Sequence, residues 1–136
     1  MKILIGANLI DGKGGPVVND AAVLIDGERI VSAGPRAAAT WPEGTEVIDV
    51  TGLTIMPGLI DCHDHLASKS YDMASRWGLT EPTSLGYLRT AKSLEETLLA
   101  GYTCVREAGG LDVGFKQAVE EGLIPGPRLV LTVGIL

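Results

Sequence analysis

Histidine and cysteine are nearly absent from this sequence. Its 136 residues contain only two of each, His63 and His65, and Cys62 and Cys104. Two cysteines are too few for a scaffold built on disulfides. Both fall in apolar stretches that read as buried strands, "LIDCHDH" and "YTCVREAG", so they are expected to be free thiols packed as small apolar groups. Also missing is any run of five or six basic residues. Lys and Arg number 11 against 17 Asp and Glu, for a net charge of −6, which speaks against a nucleic-acid surface or an anionic membrane surface as partner. No stretch approaches the roughly 20 apolar residues of a membrane helix. The opening "MKILIGANLIDGKGG" breaks its short apolar run at Gly6 and Asn8 and lacks the pattern of a secretory signal. The expectation is a cytoplasmic protein.

What remains is a globular composition, 46% hydrophobic and 21% charged, in a chain long enough for about one domain. Residues 1–56 read as all-β. "KILIGANLI" is one strand. "AAVLIDGERIVSAG" gives two more around Asp26-Gly27, a dipeptide that closes tight hairpins, and "TEVIDVTGLTIMPG" gives two around Thr51-Gly52. Between them "PRAAATWPEG" reads as a loop, by its two prolines and Gly44.

From residue 57 to 136 strands alternate with helices. "LIDCHDHL" is a strand. "SLGYLRTAKSLEETLLAG" reads as a helix capped by Ser84, with Leu85, Leu88, Ala91, Leu94 and Leu98 on one face and Gly101 as its stop. "YTCVREAG" is a second strand. "DVGFKQAVEEG" is a second helix, with Asp112 as cap, Phe115, Ala118 and Val119 on one face, and Gly122 as stop. "RLVLTVGIL" is a third strand. This order is the signature of right-handed crossovers on a parallel sheet, so a small β domain is expected to lead into an α/β domain.

The two histidines sit in "PGLIDCHDHL", where the first α/β strand runs out. A strand repeats every two residues, which puts His63 and His65 on one side, with Leu59 and Asp61, and Cys62 and Asp64 on the other. Two neutral imidazoles side by side can chelate one divalent cation. The C-terminal ends of parallel strands are also where active sites collect. An isolated His-x-His is a weak signal. Here it follows Pro-Gly, an apolar strand and an aspartate, and that context makes metal binding the reading. Asp61 is either an outer acceptor that orients a ligand ring or a structural partner on the same face.

"LTIMPGLIDCHDHL" resembles the first-strand motif of the amidohydrolase superfamily, and "VLIDGERIVSAG" resembles the stretch that builds that family's small β-sandwich. "LLAGYTCVREAGG" and "GLIPGPRLVLTVG" resemble its imidazolonepropionase-like and Xaa-Pro dipeptidase-like branch. The resemblance implies a (β/α)8 TIM barrel preceded by a β-sandwich. It further implies that His63 and His65 hold the more buried metal, usually zinc, of a mono- or binuclear centre. The implied reaction is hydrolysis of an amide- or peptide-type C–N bond in a small amide or dipeptide-like substrate. In the family a metal-activated hydroxide attacks the carbonyl carbon, because the metal lowers the pKa of water toward about 7. Deaminases and cyclic amidases share the motif and remain alternatives. A lysine at the end of the fourth strand would favour binuclear amidases and peptidases, and its absence mononuclear deaminases.

The chain departs from the branch at one place. Arg106-Glu107 stands where the branch usually reads Arg-Asp. Both residues are read as structural, Glu107 as a hydrogen-bonded acid at a strand end. Residues 67–83, "ASKSYDMASRWGLTEPT", form a long loop after the first barrel strand. Its Tyr71, Met73, Arg76 and Trp77 are candidates to touch substrate or form a lid, or else belong to a short surface helix packed by Trp77. A full barrel takes about 250 residues, and three barrel strands are expected here. The family's later ligands, a lysine, two further histidines and an aspartate base, are therefore expected outside residues 1–136. Three readings follow: part of a longer homo-oligomeric enzyme, one half of a split enzyme whose other chain completes the barrel, or a domain that has lost catalysis and keeps a metal.

Overall fold

The computed structural model describes residues 1–69 and 82–132. It divides into two compact units, Met1–Pro57 and Gly58–Leu136. No helix among the described residues is long and apolar enough to cross a membrane.

The first unit is one five-stranded sheet. Strands β1 (Lys2–Leu9), β2 (Val18–Asp26), β3 (Arg29–Pro35), β4 (Glu46–Asp49) and β5 (Thr54–Ile55) form it in the order β3-β2-β1-β4, with β5 also paired to β1. In β1 the residues alternate in the way a strand's period of two demands: Ile3, Ile5, Ala7 and Leu9 are buried while Lys2 and Asn8 are exposed. Ile3 and Ile5 pack with Ala22 and Leu24 of β2, and Trp41 closes that cluster. The hairpin between β2 and β3 pairs Asp26 with Arg29, so Gly27 and Glu28 make its turn. Gly27 supplies the positive φ, +56°, that such a turn needs. Gly6 interrupts the β1–β2 register with φ +89°, and a side chain there would run into Thr51. The stretch read as a plain loop contains a 3-10 turn, Arg36–Ala38. Among the described residues its strands pair into one sheet.

The second unit is a three-stranded sheet with the order β6 (Leu59–Asp64), β7 (Tyr102–Glu107) and β8 (Arg128–Leu131), parallel throughout. Helix α1 (Thr83–Leu99) precedes β7 and α2 (Val113–Glu120) precedes β8. The core between sheet and helices is Leu66, Leu94, Val105, Leu111 and Leu129, flanked by Tyr102, Phe115, Val119 and Ile124. Burying a side chain of this size contributes roughly 1.5–3 kcal/mol.

Helix α2 forms as its sequence dictates. Asp112 accepts the Gly114 N–H at 2.7 Å, and Gly122 ends the helix with φ +72°. Helix α1 departs from expectation in two ways. Its N-cap is Pro82, whose ring has no acceptor and so gives no side-chain cap; the Pro82 carbonyl takes the Leu85 and Gly86 N–H groups, and Ser84 lies inside the helix. Its buried face is Gly86, Thr90, Ser93 and Leu94 rather than the full leucine stripe, and Leu88 is 68% exposed. Small side chains let the helix approach its neighbours closely along that line. Gly101, at φ +97°, ends it as expected, with its N–H on the Leu98 carbonyl.

Strand β6 is also less buried than its apolar sequence implies. Ile60 is 67% exposed, and β6 is an edge strand among the described residues. Cys62 is exposed and Cys104 half-buried, so the thiols are free, as expected, but Cys62 is not a packed core group.

Candidate metal centre

The site grows out of the end of β6. Its pairing with β7 starts at Leu59 opposite Tyr102, shifts by one residue of β7 to put Ile60 opposite Cys104, and continues with Asp61 opposite Val105. The next pair is Asp64 with Glu107, so three steps on β6 match two on β7. This bulge lies at Cys62 and His63. It upsets the simple alternation expected for the motif, because one extra residue swaps the faces beyond it. Asp61 and Asp64, expected on opposite faces, line the same cavity, a space of about 380 Å³ that also touches His65, Ser93, Glu96 and Tyr102. His65 is the first residue beyond the strand rather than part of it.

Two carboxylates fix the backbone of the histidines. Asp61 Oδ1 accepts the His63 N–H at 2.9 Å, and Asp64 Oδ1 accepts the His65 N–H at 2.7 Å. Asp61 therefore acts on the main chain of His63 and not on its ring. The Asp64 carbonyl in turn receives the Ala108 N–H at 2.8 Å, which ties the motif to the end of β7. The two imidazoles stand edge to face, with ring centroids 5.2 Å apart and planes at 78°. Both histidines are exposed to solvent.

Glu107, at the end of β7, is completely buried. One carboxylate oxygen, Oε2, accepts the Leu111 N–H at 2.9 Å. The other, Oε1, is buried without a hydrogen-bond partner. Beside it lies Gly109, where an added Cβ would sit 2.5 Å from His65 Nδ1 and 2.9 Å from Glu107 Oε1. An orphaned buried carboxylate oxygen and a histidine nitrogen thus face one small gap that only glycine leaves open. Among the described residues no three of His, Cys, Asp and Glu form a ligand cluster, so His63 and His65 are a two-nitrogen seat on one side of an ion. Two imidazole groups with a buried carboxyl group behind them fit a divalent cation. The sequence pointed to both histidines and to Asp61. It missed the gap at Gly109, and only the departure at Glu107 pointed there. Tyr71, Met73, Arg76 and Trp77 lie outside the described residues.

The amidohydrolase family model matches residues 54–136, which contain this whole site. The chain belongs to the amidohydrolase family. It is 31% identical over 132 residues to a dihydroorotase of Leifsonia xyli subsp. xyli, a match covering 84% of this chain and 28% of that protein. An imidazolonepropionase of Caulobacter vibrioides is 51% identical over 61 residues, 44% of this chain and 15% of the relative. Among solved structures, a prolidase complexed with N-methylphosphonate-L-proline superposes with a TM-score of 0.80 at 39% identity, covering 96% of this chain and 31% of that one. The chain thus spans less than a third of the length of each of these relatives.

Proposed function

We propose that this chain carries the first metal-binding element of a hydrolase that cleaves C–N bonds in small amide or dipeptide-like substrates. The observation that carries the reading is the pair of imidazoles, 5.2 Å apart, at the C-terminal end of the first strand of a parallel sheet. His63 and His65 would hold zinc or another divalent ion, as part of a (β/α)8 barrel whose remaining ligands lie outside residues 1–136. A bound ion of this kind supplies Lewis-acid chemistry, acidifying water and polarising a carbonyl. The chain's own part is to present two ring nitrogens from a backbone pinned by Asp61 and Asp64. The likeness to a prolidase supports a dipeptide-like substrate, and the proposed setting is a homo-oligomeric cytoplasmic enzyme. The matches to a dihydroorotase and an imidazolonepropionase support a second reading, a cyclic amidase.

The test uses the full-length protein. Metal content is measured together with hydrolysis of N-acyl amino acids, Xaa-Pro dipeptides and cyclic amides. His63→Ala is expected to abolish hydrolysis, a loss of at least about 10³-fold, and to lower bound zinc. Full activity with undiminished zinc in that variant refutes the ligand assignment. Turnover of cyclic amides alone favours the second reading.

A further inference from the structure

Glu107 is the buried polar group that the reading above leaves without a task. A carboxyl oxygen sealed from water with no donor is costly, and such a group calls for an explanation. Only one oxygen of Glu107 is satisfied, by the Leu111 N–H. The other faces the gap over Gly109 that His65 Nδ1 also faces. Gly109 is not among the glycines with positive φ, so its lack of a side chain serves space and not backbone conformation.

We propose that Glu107 is a positioning residue for the metal centre: in the metal-loaded protein its Oε1 accepts the Nδ1–H of His65. This rests on the metal-binding reading of His63 and His65. A neutral imidazole carries one N–H, so a carboxylate on Nδ1 leaves Nε2 as the free donor and sets the ring's orientation. Direct ligation by Glu107 is the weaker alternative, since no three candidate donors cluster among the described residues. Gly109 keeps the path between the two groups open.

The experiment titrates the metal-free full-length protein with Zn²⁺ alone, using a competing chromophoric chelator, and reads the protonated ring nitrogen of His65 by ¹⁵N-histidine NMR, with His65→Gln to assign the signal. Glu107→Gln keeps an oxygen for the Leu111 N–H but turns an N–H donor toward His65. It is expected to weaken zinc binding roughly 10–100-fold and to disfavour the Nδ1–H tautomer of His65 in the zinc-loaded protein, with unchanged melting of the metal-free protein. Glu107→Asp, the acid that the resembling branch carries here, is expected to recover part of the affinity. If Glu107→Gln does not fold, Gly109→Ala takes its place: a methyl group in the gap is expected to weaken zinc similarly while Glu107 stays intact. Unchanged zinc affinity and an unchanged His65 tautomer in the folded variant overturn the proposal. So does finding zinc on Nδ1 of His65 in the wild-type protein, which needs no variant at all. His63→Ala separates the two failures. Zinc binding unaffected by His63→Ala defeats the metal centre itself, whereas zinc lost there but kept in Glu107→Gln defeats only the role of Glu107.

Discussion

Asp49 illustrates how single residues set local order in this chain. It accepts the Thr51 N–H at 2.9 Å, and its carboxyl is held below the ordinary value, chiefly by the side-chain hydrogen bond from Thr51 and then by the backbone one. A depressed folded pKa means stability that is fully present above the unfolded value and lost as pH falls through the folded one. Asp49→Asn is therefore expected to flatten the acid end of the stability profile, below about pH 4, while leaving the slope near neutrality unchanged. Urea melts at stepped pH values check this, and parallel acid profiles for the two proteins would count against it. Asp112 was legible as a cap because its partner, the Gly114 N–H, is two places away, and Gly122 as a stop because glycine accepts the positive φ that ends a helix. Glu107 was legible as a hydrogen-bonded acid at a strand end, and its Leu111 partner is four residues on; its approach to the space beside Gly109 and His65 was not, because that needs β6 and β7 side by side.

At the scale of elements, helix α1 is the instructive case. The leucine spacing located the helix and Gly101 located its end, but the buried line runs through Gly86, Thr90, Ser93 and Leu94. Periodicity finds a helix; the shape of the neighbouring sheet decides its rotation. Leu94 is the member of the stripe that is completely buried, packed with Val105 and Leu129. Leu94→Ala is expected to cost about 2–5 kcal/mol, whereas Leu88→Ala, on an exposed position, is expected to cost less than about 0.5 kcal/mol. Denaturant melts of the two variants measure the difference, and equal losses would place the core elsewhere. The bulge in β6 follows the same rule. Nothing in "LIDCHDHL" marks it, because a bulge is a mismatch between two strands and a single strand's sequence carries no register.

For the whole molecule, the family was legible from fourteen residues, "LTIMPGLIDCHDHL", and the alternation of strands and helices from Pro57 onward. The strand order of the first unit was not, since strand patterns count strands but do not say which pairs with which. Metal binding is the property through which the molecule as a whole is expected to respond. A ligand that binds only the folded form stabilises it by about 4 kcal/mol at a thousand times its dissociation constant. Stripping the full-length protein with a chelator is thus expected to lower its melting temperature and abolish hydrolysis, and added Zn²⁺ to restore both. A melting temperature indifferent to chelator and zinc would contradict this.

The carboxylates around the histidines carry one more consequence. Asp61 and Asp64 place carboxyl groups beside His63 and His65, in a chain already at −6. Such a field draws cations in and holds anions off. Under the proposed function, this charge favours a divalent ion at the strand end and opposes an anionic ligand there until the ion is bound.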